Sequence, residues 1–252
     1  MSRFYCLSSE FQAGGASLCN DAAKHCAQVL RKHVGDQIII FDGAGNEATA
    51  EITEISTKRV DLKILEQRHT PAPAVSISLI QSIPKGANME WIIEKAVELG
   101  VNAIYPVVTE RTVVRLDLND CARKQEKWQR VAIEACKQCG QSWLPKVHAP
   151  SRFPAMLGTL PAHDLKIIAA LQPEAKSFKA VLSGAPASAV VAIGPEGDFT
   201  PDEYSAARAH GLEPVTLGPL VLRVETAAFF AVSVLVHELR GDERRAKPDG
   251  IN

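Results

Sequence analysis

The sequence predicts an α/β protein in which a mostly parallel sheet is preceded by a small β-rich domain. In the longer C-terminal part, short apolar runs alternate with helical segments, the pattern of a parallel sheet covered by helices on both faces. The N-terminal part combines several short strands with one helix, which indicates a small barrel. Pro71 and Pro73 mark the linker between them, because proline resists both helix and sheet pairing. The predicted domains span residues 1–70 and 74–252.

The first domain is predicted to contain four strands and one helix. The helix is expected to end at Gly35, since glycine accepts the left-handed conformation found at helix C-termini. Val60, Leu62 and Ile64 alternate with polar residues, as in a strand with one wet face. The other predicted elements are strands at 4–7, 37–41 and 47–55 and the helix at 21–33.

The second domain is predicted to alternate strands and helices from end to end. Gly100 and Gly140 each follow a helical pattern and are expected to end those helices. The predicted strands are 75–81, 103–108, 165–171, 190–193 and a short one around 215–217, and the predicted helices are 89–99, 120–139 and 227–239.

The composition of the chain limits the classes of function that it can have. The chain has 252 residues, 46% of them hydrophobic and 23% charged, which is enough for one large domain or two modest ones. No apolar run reaches membrane-spanning length and the N-terminus lacks a secretory pattern, so we expect a cytosolic protein with no membrane partner. The formal net charge of -1 argues against attraction of nucleic acid by the electrostatic field of the whole protein. Any nucleic-acid binding would therefore depend on local clusters of basic residues.

Cysteines and histidines indicate neither a disulfide scaffold nor a metal site. The six cysteines lack disulfide-framework spacing and are interpreted as reduced thiols. Cys136-x-x-Cys139 lies within a predicted helix and has no second ligand pair at metal spacing, so buried thiols explain it better than zinc. His-x-x-x-His and Gly-x-Ser-x-Gly are both absent, which favours a group transfer without metal.

Two glycine-centred segments are the most informative part of the chain. Ile193-Gly-Pro-Glu-Gly-Asp-Phe199 and Leu217-Gly-Pro-Leu-Val-Leu-Arg-Val-Glu-Thr-Ala227 each follow a short apolar strand and precede a helix. In open α/β sheets, ligands bind outside the carboxyl ends of the strands. The first segment leads into Thr200-Pro-Asp-Glu203, which predicts a capping box with proline in the first helical turn. The known glycine-rich phosphate motifs are absent, so the ligand is not expected to be held by its phosphates.

Charged residues beside these segments are candidates for function. Arg223 and Glu225 precede an apolar helix, where Glu225 or Thr226 could instead cap the helix and Arg223 pair with a carboxylate. Their position at a strand's carboxyl edge, beside the other glycine loop, favours function. Turn residues are often merely polar, but Glu196, which lies between Gly194 and Gly197, could meet a cation or a sugar hydroxyl.

Basic residues outside the glycine segments give a weaker signal for RNA. Lys85, Arg111 and Arg115 follow predicted strand ends in the second domain. Arg3, Arg31 and Lys32 belong to a basic set in the first domain. A β-rich unit with local positive charge beside a ligand-binding α/β domain suits nucleic acid, although a basic helix face such as that of 123–137 is more often solvated.

The paired glycine segments resemble the bacterial ribosomal RNA small subunit methyltransferase E family, the 16S rRNA uracil-N(3) methyltransferases of the SPOUT superfamily. The likeness extends to Lys85-Gly-x-x-Met-Glu-Trp, Glu110-Arg-Thr-Val and Ile133-Glu-Ala-Cys-Lys-Gln-Cys-Gly140. In the first domain it includes His25-Cys-Ala-Gln-Val-Leu-Arg31 and Phe41-Asp-Gly43. It therefore covers nearly the whole chain.

The resemblance implies a PUA-like β-barrel followed by a SPOUT-type methyltransferase domain with a C-terminal trefoil knot, and a homodimer. It implies methylation of ring nitrogen 3 of one uridine in 16S rRNA. Because the chain lacks net positive charge, we expect the assembled small ribosomal subunit, rather than naked RNA, as its partner. Arg223 would hold a uracil carbonyl, and Glu225 would accept the proton or orient the arginine. S-adenosylmethionine would lie in the knot, and its implied contacts are Leu171, Gly194, Pro195, Glu196, Gly197, Leu217, Gly218, Leu220, Val221, Leu222 and Thr226.

Two positions depart from the family pattern. Position 220 is leucine where the family often has arginine, and position 198 is aspartate where glycine is common. If the usual arginine contacts RNA phosphate, this chain would depend more on Arg111, Arg115 or the first domain. A SPOUT methyltransferase acting on another rRNA or tRNA position and a non-catalytic RNA-binding factor remain as alternatives.

Overall fold

A computed structural model describes residues 1–7, 11–12, 14–113, 117–182 and 184–241. The chain divides into two compact units. The first comprises Met1–Pro73 and Gln129–Pro145, and the second comprises Ala74–Trp128 and the chain from Lys146 onward. Residues 129–145 therefore group with the first unit, whereas the sequence predicts them as part of the second domain.

The first unit contains a six-stranded sheet in the order β1-β4-β5-β6-β3-β2. Neighbouring strands are antiparallel except for β1 and β4, which are parallel. Phe4, Leu18, Ile40 and Ile52 belong to its buried core. The elements are β1 (Arg3–Tyr5), β2 (Phe11–Gln12), β3 (Gly15–Cys19), α1 (Asn20–Lys24), a π-helical turn at His25–Val29, β4 (Gln37–Phe41), β5 (Asn46–Ile55) and β6 (Arg59–His69).

Two predictions in this unit were wrong in detail. The helix predicted over 21–33 ends at Val29, after a π-helical turn. It cannot continue through Arg31, because the φ of Arg31 is 50°, outside the right-handed helical region. The sequence around Pro71 and Pro73 predicts a linker over residues 68–74, but this linker begins later, because Arg68 and His69 still pair with β5. The strand β3 was not predicted, because its small residues carry little strand signal and its pairing partner, β6, is distant in sequence.

The second unit is built on a parallel sheet, as predicted, and the described residues form eight strands where five were predicted. Its order is β10-β8-β7-β13-β11-β14-β12, with β9 also pairing with β8. Its strands are β7 (Ser76–Ser82), β8 (Ala103–Val108), β9 (Lys146–Val147), β10 (Ser151–Arg152), β11 (Leu165–Ala169), β12 (Lys176–Ser177), β13 (Ser188–Ile193) and β14 (Glu213–Thr216). Its helices are α2 (Asn88–Glu98), α3 (Leu118–Cys139), α4 (Phe153–Thr159), α5 (Phe178–Val181), α6 (Pro201–Ala209) and α7 (Val224–Arg240), although the last part of α3 belongs to the first unit.

The central strands of this sheet are buried, which explains their continuous apolar sequence. Ala189–Ile193 of β13 is buried throughout, between β7 and β11. Burial of each such large apolar side chain contributes about 1.5–3 kcal/mol to stability. Helices α2 and α3 end as predicted, with Gly100 and Gly140 at positive φ.

The last helix, α7, packs against β7, β13 and α2. It begins at Val224, three residues earlier than predicted. The first turn was not predicted because its charged and β-branched residues follow no apolar pattern. No helix among the described residues is long and apolar enough to cross a membrane.

Candidate active site

A cleft opens at the carboxyl ends of three neighbouring strands, β13, β11 and β14. Its empty volume, counted together with the open solvent at its mouth, is about 570 Å³. The loops that follow these strands form its walls, as expected for an open parallel sheet. The lining residues are Ala169, Ala170, Leu171, Ile193, Gly194, Pro195, Glu196, Asp198, Leu217, Gly218, Leu220, Val221, Leu222, Val224 and Ala227.

The structure brings both predicted glycine segments to this one cleft. Nine of the predicted cofactor-binding residues line it: Leu171, Gly194, Pro195, Glu196, Leu217, Gly218, Leu220, Val221 and Leu222. Gly197 and Thr226, both described, are not among the lining residues. Gly197 faces the side chain of Arg111, and Thr226 is exposed on the first turn of α7.

The sequence analysis did not predict three residues of the lining, Ala169, Ala170 and Asp198. Ala169 and Ala170 line the cleft directly before the predicted Leu171, and the carboxyl end of a parallel strand is the signal that points to them. Asp198, a departure from the family pattern, lines the cleft beside Pro195 and Glu196.

The loop from Gly194 to Thr200 is held rigidly at its far end. The predicted capping box is confirmed: the Thr200 hydroxyl accepts the Glu203 backbone N–H at 3.3 Å, and a Glu203 carboxylate oxygen accepts the Thr200 N–H at 2.9 Å. The other carboxylate oxygen of buried Glu203 accepts the Glu110 backbone N–H at 2.8 Å. One carboxylate therefore fixes both the start of α6 and the loop after β8.

Two further contacts join this loop to its neighbours. The Arg111 guanidinium donates to the carbonyl oxygens of Gly197 and Phe199. The Glu196 carboxylate accepts the Lys85 backbone N–H at 3.0 Å. Arg111 and Lys85, predicted to contact RNA, thus also support the cleft, and both side chains remain exposed.

The rim of the cleft is apolar and open. Leu171, Leu220 and Val221 are 60%, 73% and 78% exposed, which is unusual for large apolar side chains. Residues 217–223 lie outside helices and strands, and the Thr216 hydroxyl bonds both the N–H and the C=O of Gly218 at 3.2 Å. The departure at Leu220 therefore adds apolar surface at the cleft itself.

Arg223 and Glu225 flank Val224, which lines the cleft at the start of α7. Arg223 occupies the N-cap position and its carbonyl oxygen accepts the Ala227 N–H at 2.8 Å, but no side chain caps this helix. The alternative in which Glu225 or Thr226 caps α7 is therefore wrong. The Arg223 side chain is exposed and that of Glu225 is half-buried, which leaves both accessible at this end of the cleft.

The basic residues predicted in the first unit differ in availability. The Arg3 side chain is only 8% exposed; it pairs with the buried Glu47 carboxylate, donates to the Ser142 hydroxyl at 2.9 Å and lies over the Phe41 ring. This burial argues against the predicted RNA contact of Arg3. Arg31 is exposed and Lys32 lies 4.0 Å from the Asp36 carboxylate. Arg115 lies outside the described residues.

The cysteines are free thiols, and burial raises the pKa of Cys136 to about 12. Within the described part of the chain, no group of three or more His, Cys, Asp or Glu side chains is arranged to hold a metal ion.

Comparison with known proteins agrees with the cleft and with the two-part sequence. Residues 70–236 match the RNA methyltransferase domain family, and residues 18–65 match the RNA methyltransferase PUA domain. The N-terminal unit therefore contains a PUA domain. The ribosomal RNA small subunit methyltransferase E of Bacillus subtilis is 32% identical over 240 residues, which covers 90% of this chain and 93% of that protein.

Solved structures give the same relationship. The ribosomal RNA small subunit methyltransferase E of Neisseria gonorrhoeae bound to S-adenosyl methionine has a TM-score of 0.84 and 33% identity, covering 94% of this chain and 97% of its own. A methyltransferase from Legionella pneumophila in complex with the bound cofactor SAM has a TM-score of 0.84 and 34% identity, covering 93% and 96%. This chain therefore belongs to the ribosomal RNA small subunit methyltransferase E family.

Proposed function

We propose that this protein uses S-adenosylmethionine to methylate ring nitrogen 3 of one uridine in the 16S rRNA of the small ribosomal subunit. The observation that carries the proposal is the cleft at the ends of β11, β13 and β14, where both family motifs meet. Family membership, with relatives solved in complex with this cofactor, supports the choice of ligand.

The residues of the cleft fit S-adenosylmethionine. Leu171, Leu220 and Val221 offer apolar surface for the adenine, and the loops around Gly194 and Gly218 bring backbone polar groups close to a ligand. When bound, the cofactor supplies an electrophilic methyl group on its sulfonium. The reaction requires no metal ion.

Arg223 and Glu225 are proposed to perform the chemistry on the base. Nitrogen 3 of uracil carries a proton, so its lone pair becomes nucleophilic only as that proton leaves. Glu225 accepts the proton or orients Arg223, and the Arg223 guanidinium stabilises negative charge on a uracil carbonyl. These two side chains would prepare nitrogen 3 for the methyl group that the cofactor, held by the loops around Gly194 and Gly218, would supply. The exposure of Arg223 and its position beside Val224 of the cleft support this assignment.

Three exposed cations remain candidates for RNA contact in the described chain: Lys85 and Arg111 beside the cleft, and Arg31 in the PUA domain. Lys32 and Arg115 complete the proposed set. The net charge of -1 favours an assembled subunit over naked RNA as substrate, because a particle can add surface contacts that the overall field does not provide. This substrate would place the protein in the cytoplasm.

The trefoil knot and the homodimer are part of the proposal. The strand order β7-β13-β11-β14, with α7 returning to pack on β7 and β13, supports a knotted C-terminus. Exposed apolar side chains of the second unit support self-association, among them Trp91 of α2 and Phe230 of α7.

Labelled methyl transfer tests the function. The protein is incubated with methyl-labelled S-adenosylmethionine and small subunits lacking the modification, and the RNA is digested to nucleosides. The proposal predicts label in 3-methyluridine. Label in a ribose or in guanine would retain the enzyme class and reject the base, whereas RNA binding without any label would favour a non-catalytic factor.

A further inference from the structure

Asp198 holds an unusual backbone conformation on one wall of the cleft. Its φ is 62°, in the left-handed region that non-glycine residues adopt at a cost. One carboxylate oxygen, Oδ1, accepts the Phe199 backbone N–H at 2.9 Å and the Tyr204 hydroxyl at 2.7 Å. These two bonds offset the cost of the conformation.

Tyr204 is the buried partner. Its side chain lies in the core of the second unit, in an edge-to-face contact with Phe199 at 5.6 Å. Burial, followed by the hydrogen bond to Asp198, holds the pKa of Tyr204 far above its ordinary value. The hydroxyl therefore keeps its proton throughout the physiological pH range and always acts as a donor.

The same hydroxyl reaches the other wall of the cleft. It lies 3.3 Å from the carbonyl oxygen of Ala169, the last residue of β11. Asp198 lines the cleft on the loop after β13, and Ala169 lines it at the end of β11. One buried phenol thus contacts both walls beyond the last paired residues of the two strands, Ile168 and Ala192.

We propose that Asp198 and Tyr204 form a positioning pair, which holds the two walls at the separation that S-adenosylmethionine requires. The inference rests on the proposed function and adds a determinant of cofactor affinity. Neither residue acts on the reacting atoms. When the walls are fixed before binding, the protein loses less conformational entropy as the ligand binds, so the ligand binds more tightly.

Equilibrium dialysis with labelled S-adenosylmethionine tests the pair. Tyr204→Phe removes only the hydroxyl and is expected to raise the Kd about threefold to tenfold, the effect of one lost hydrogen bond. Turnover on small subunits at saturating cofactor stays within about twofold of wild type, because the catalytic groups are untouched. Tyr105→Phe is the matched control, since Tyr105 lies on β8 away from the cleft lining and stacks on His148.

Asp198 variants separate positioning from charge or folding. Asp198→Asn keeps an acceptor oxygen and tolerates the left-handed conformation, so wild-type affinity is expected. Asp198→Gly suits the conformation but removes the acceptor and should weaken binding as Tyr204→Phe does. The double variant Asp198→Gly with Tyr204→Phe should weaken it no further, because the two residues act through one bond.

An unchanged Kd for Tyr204→Phe in a protein with a wild-type circular dichroism spectrum would overturn the proposal. Equal losses in Asp198→Asn and Asp198→Gly, or additive losses in the double variant, would also overturn it. Failure of the wild-type protein itself to bind the cofactor would reject the proposed function instead, so the two failures are distinguishable.

Discussion

The carboxylate of Glu196 accepts a hydrogen bond from the backbone N–H of Lys85 at 3.0 Å. The two residues follow β13 and β7, which are neighbouring parallel strands, so this bond fixes the glycine loop to the adjacent strand end. Because Glu196 also lines the cleft, this bond links one wall of the cleft to the end of β7.

Replacing Glu196 tests this connection. Glu196→Ala removes the acceptor and is expected to weaken S-adenosylmethionine binding by about 0.5–1.5 kcal/mol. Glu196→Gln keeps an acceptor oxygen and should bind within about twofold of wild type. Equilibrium dialysis measures both, and an equal loss in the two variants would show that charge, rather than the bond to Lys85, is what matters.

A second prediction concerns the close approach at Gly194. A Cβ added there would lie 3.0 and 3.1 Å from ring carbons of Phe199, which is buried against Phe153 and Tyr204. Gly194→Ala should therefore destabilise the protein by about 1–3 kcal/mol and impair cofactor binding. Thermal unfolding and dialysis measure the two effects.

Gly158→Ala is the matched control for an added methyl group. Gly158 lies in α4, with no atom within 4 Å of the added Cβ, and alanine favours the helix by up to about 1 kcal/mol. This variant should be as stable as wild type or more so. A Gly194→Ala protein that behaved like Gly158→Ala would disprove the close-packing account of the loop.

Arg223→Ala should separate binding from turnover. We expect S-adenosylmethionine affinity within about twofold of wild type, because the Arg223 side chain is exposed and does not line the cleft. Turnover on small subunits should fall about 10²–10³-fold, as for loss of a group that stabilises developing charge. Arg123→Ala, on the exposed face of α3, should leave turnover near wild type. An active Arg223→Ala enzyme would remove the proposed role.

The Cys136-x-x-Cys139 pair is predicted to be chemically inert at Cys136. Burial raises the pKa of Cys136 to about 12, and the thiolate is the form that reacts. In the native protein at pH 8, iodoacetamide should leave Cys136 unmodified, whereas denatured protein should be alkylated there. Peptide mapping by mass spectrometry reads the site, and rapid native labelling would restore a redox interpretation.

Local signals allowed much of the fold to be predicted. The capping box of Thr200 and Glu203, the helix ends at Gly100 and Gly140 and the buried run of β13 all depend on a few neighbouring residues. The parallel sheet followed from the alternation of such segments. The resemblance to the family predicted that both glycine segments contribute to one site. Periodicity alone does not predict this.

What could not be predicted depends on contacts between distant residues. Arg3 resembles an isolated surface cation in sequence, yet Glu47 and Ser142 bury it. The Tyr204 hydroxyl lies 3.3 Å from the carbonyl oxygen of Ala169, which is remote in sequence, and Ala169 lines the cleft because β11 lies between β13 and β14. Neither burial nor strand order can be read from a single segment.

The central claim is that this cleft is the S-adenosylmethionine site. Its most direct test is equilibrium dialysis of wild-type protein and Gly194→Ala against labelled S-adenosylmethionine. The account predicts saturable binding of one cofactor per wild-type chain, complete below millimolar concentration, and strongly weakened binding in the variant. No binding by wild type at millimolar cofactor, or equal binding by the two proteins, would contradict it.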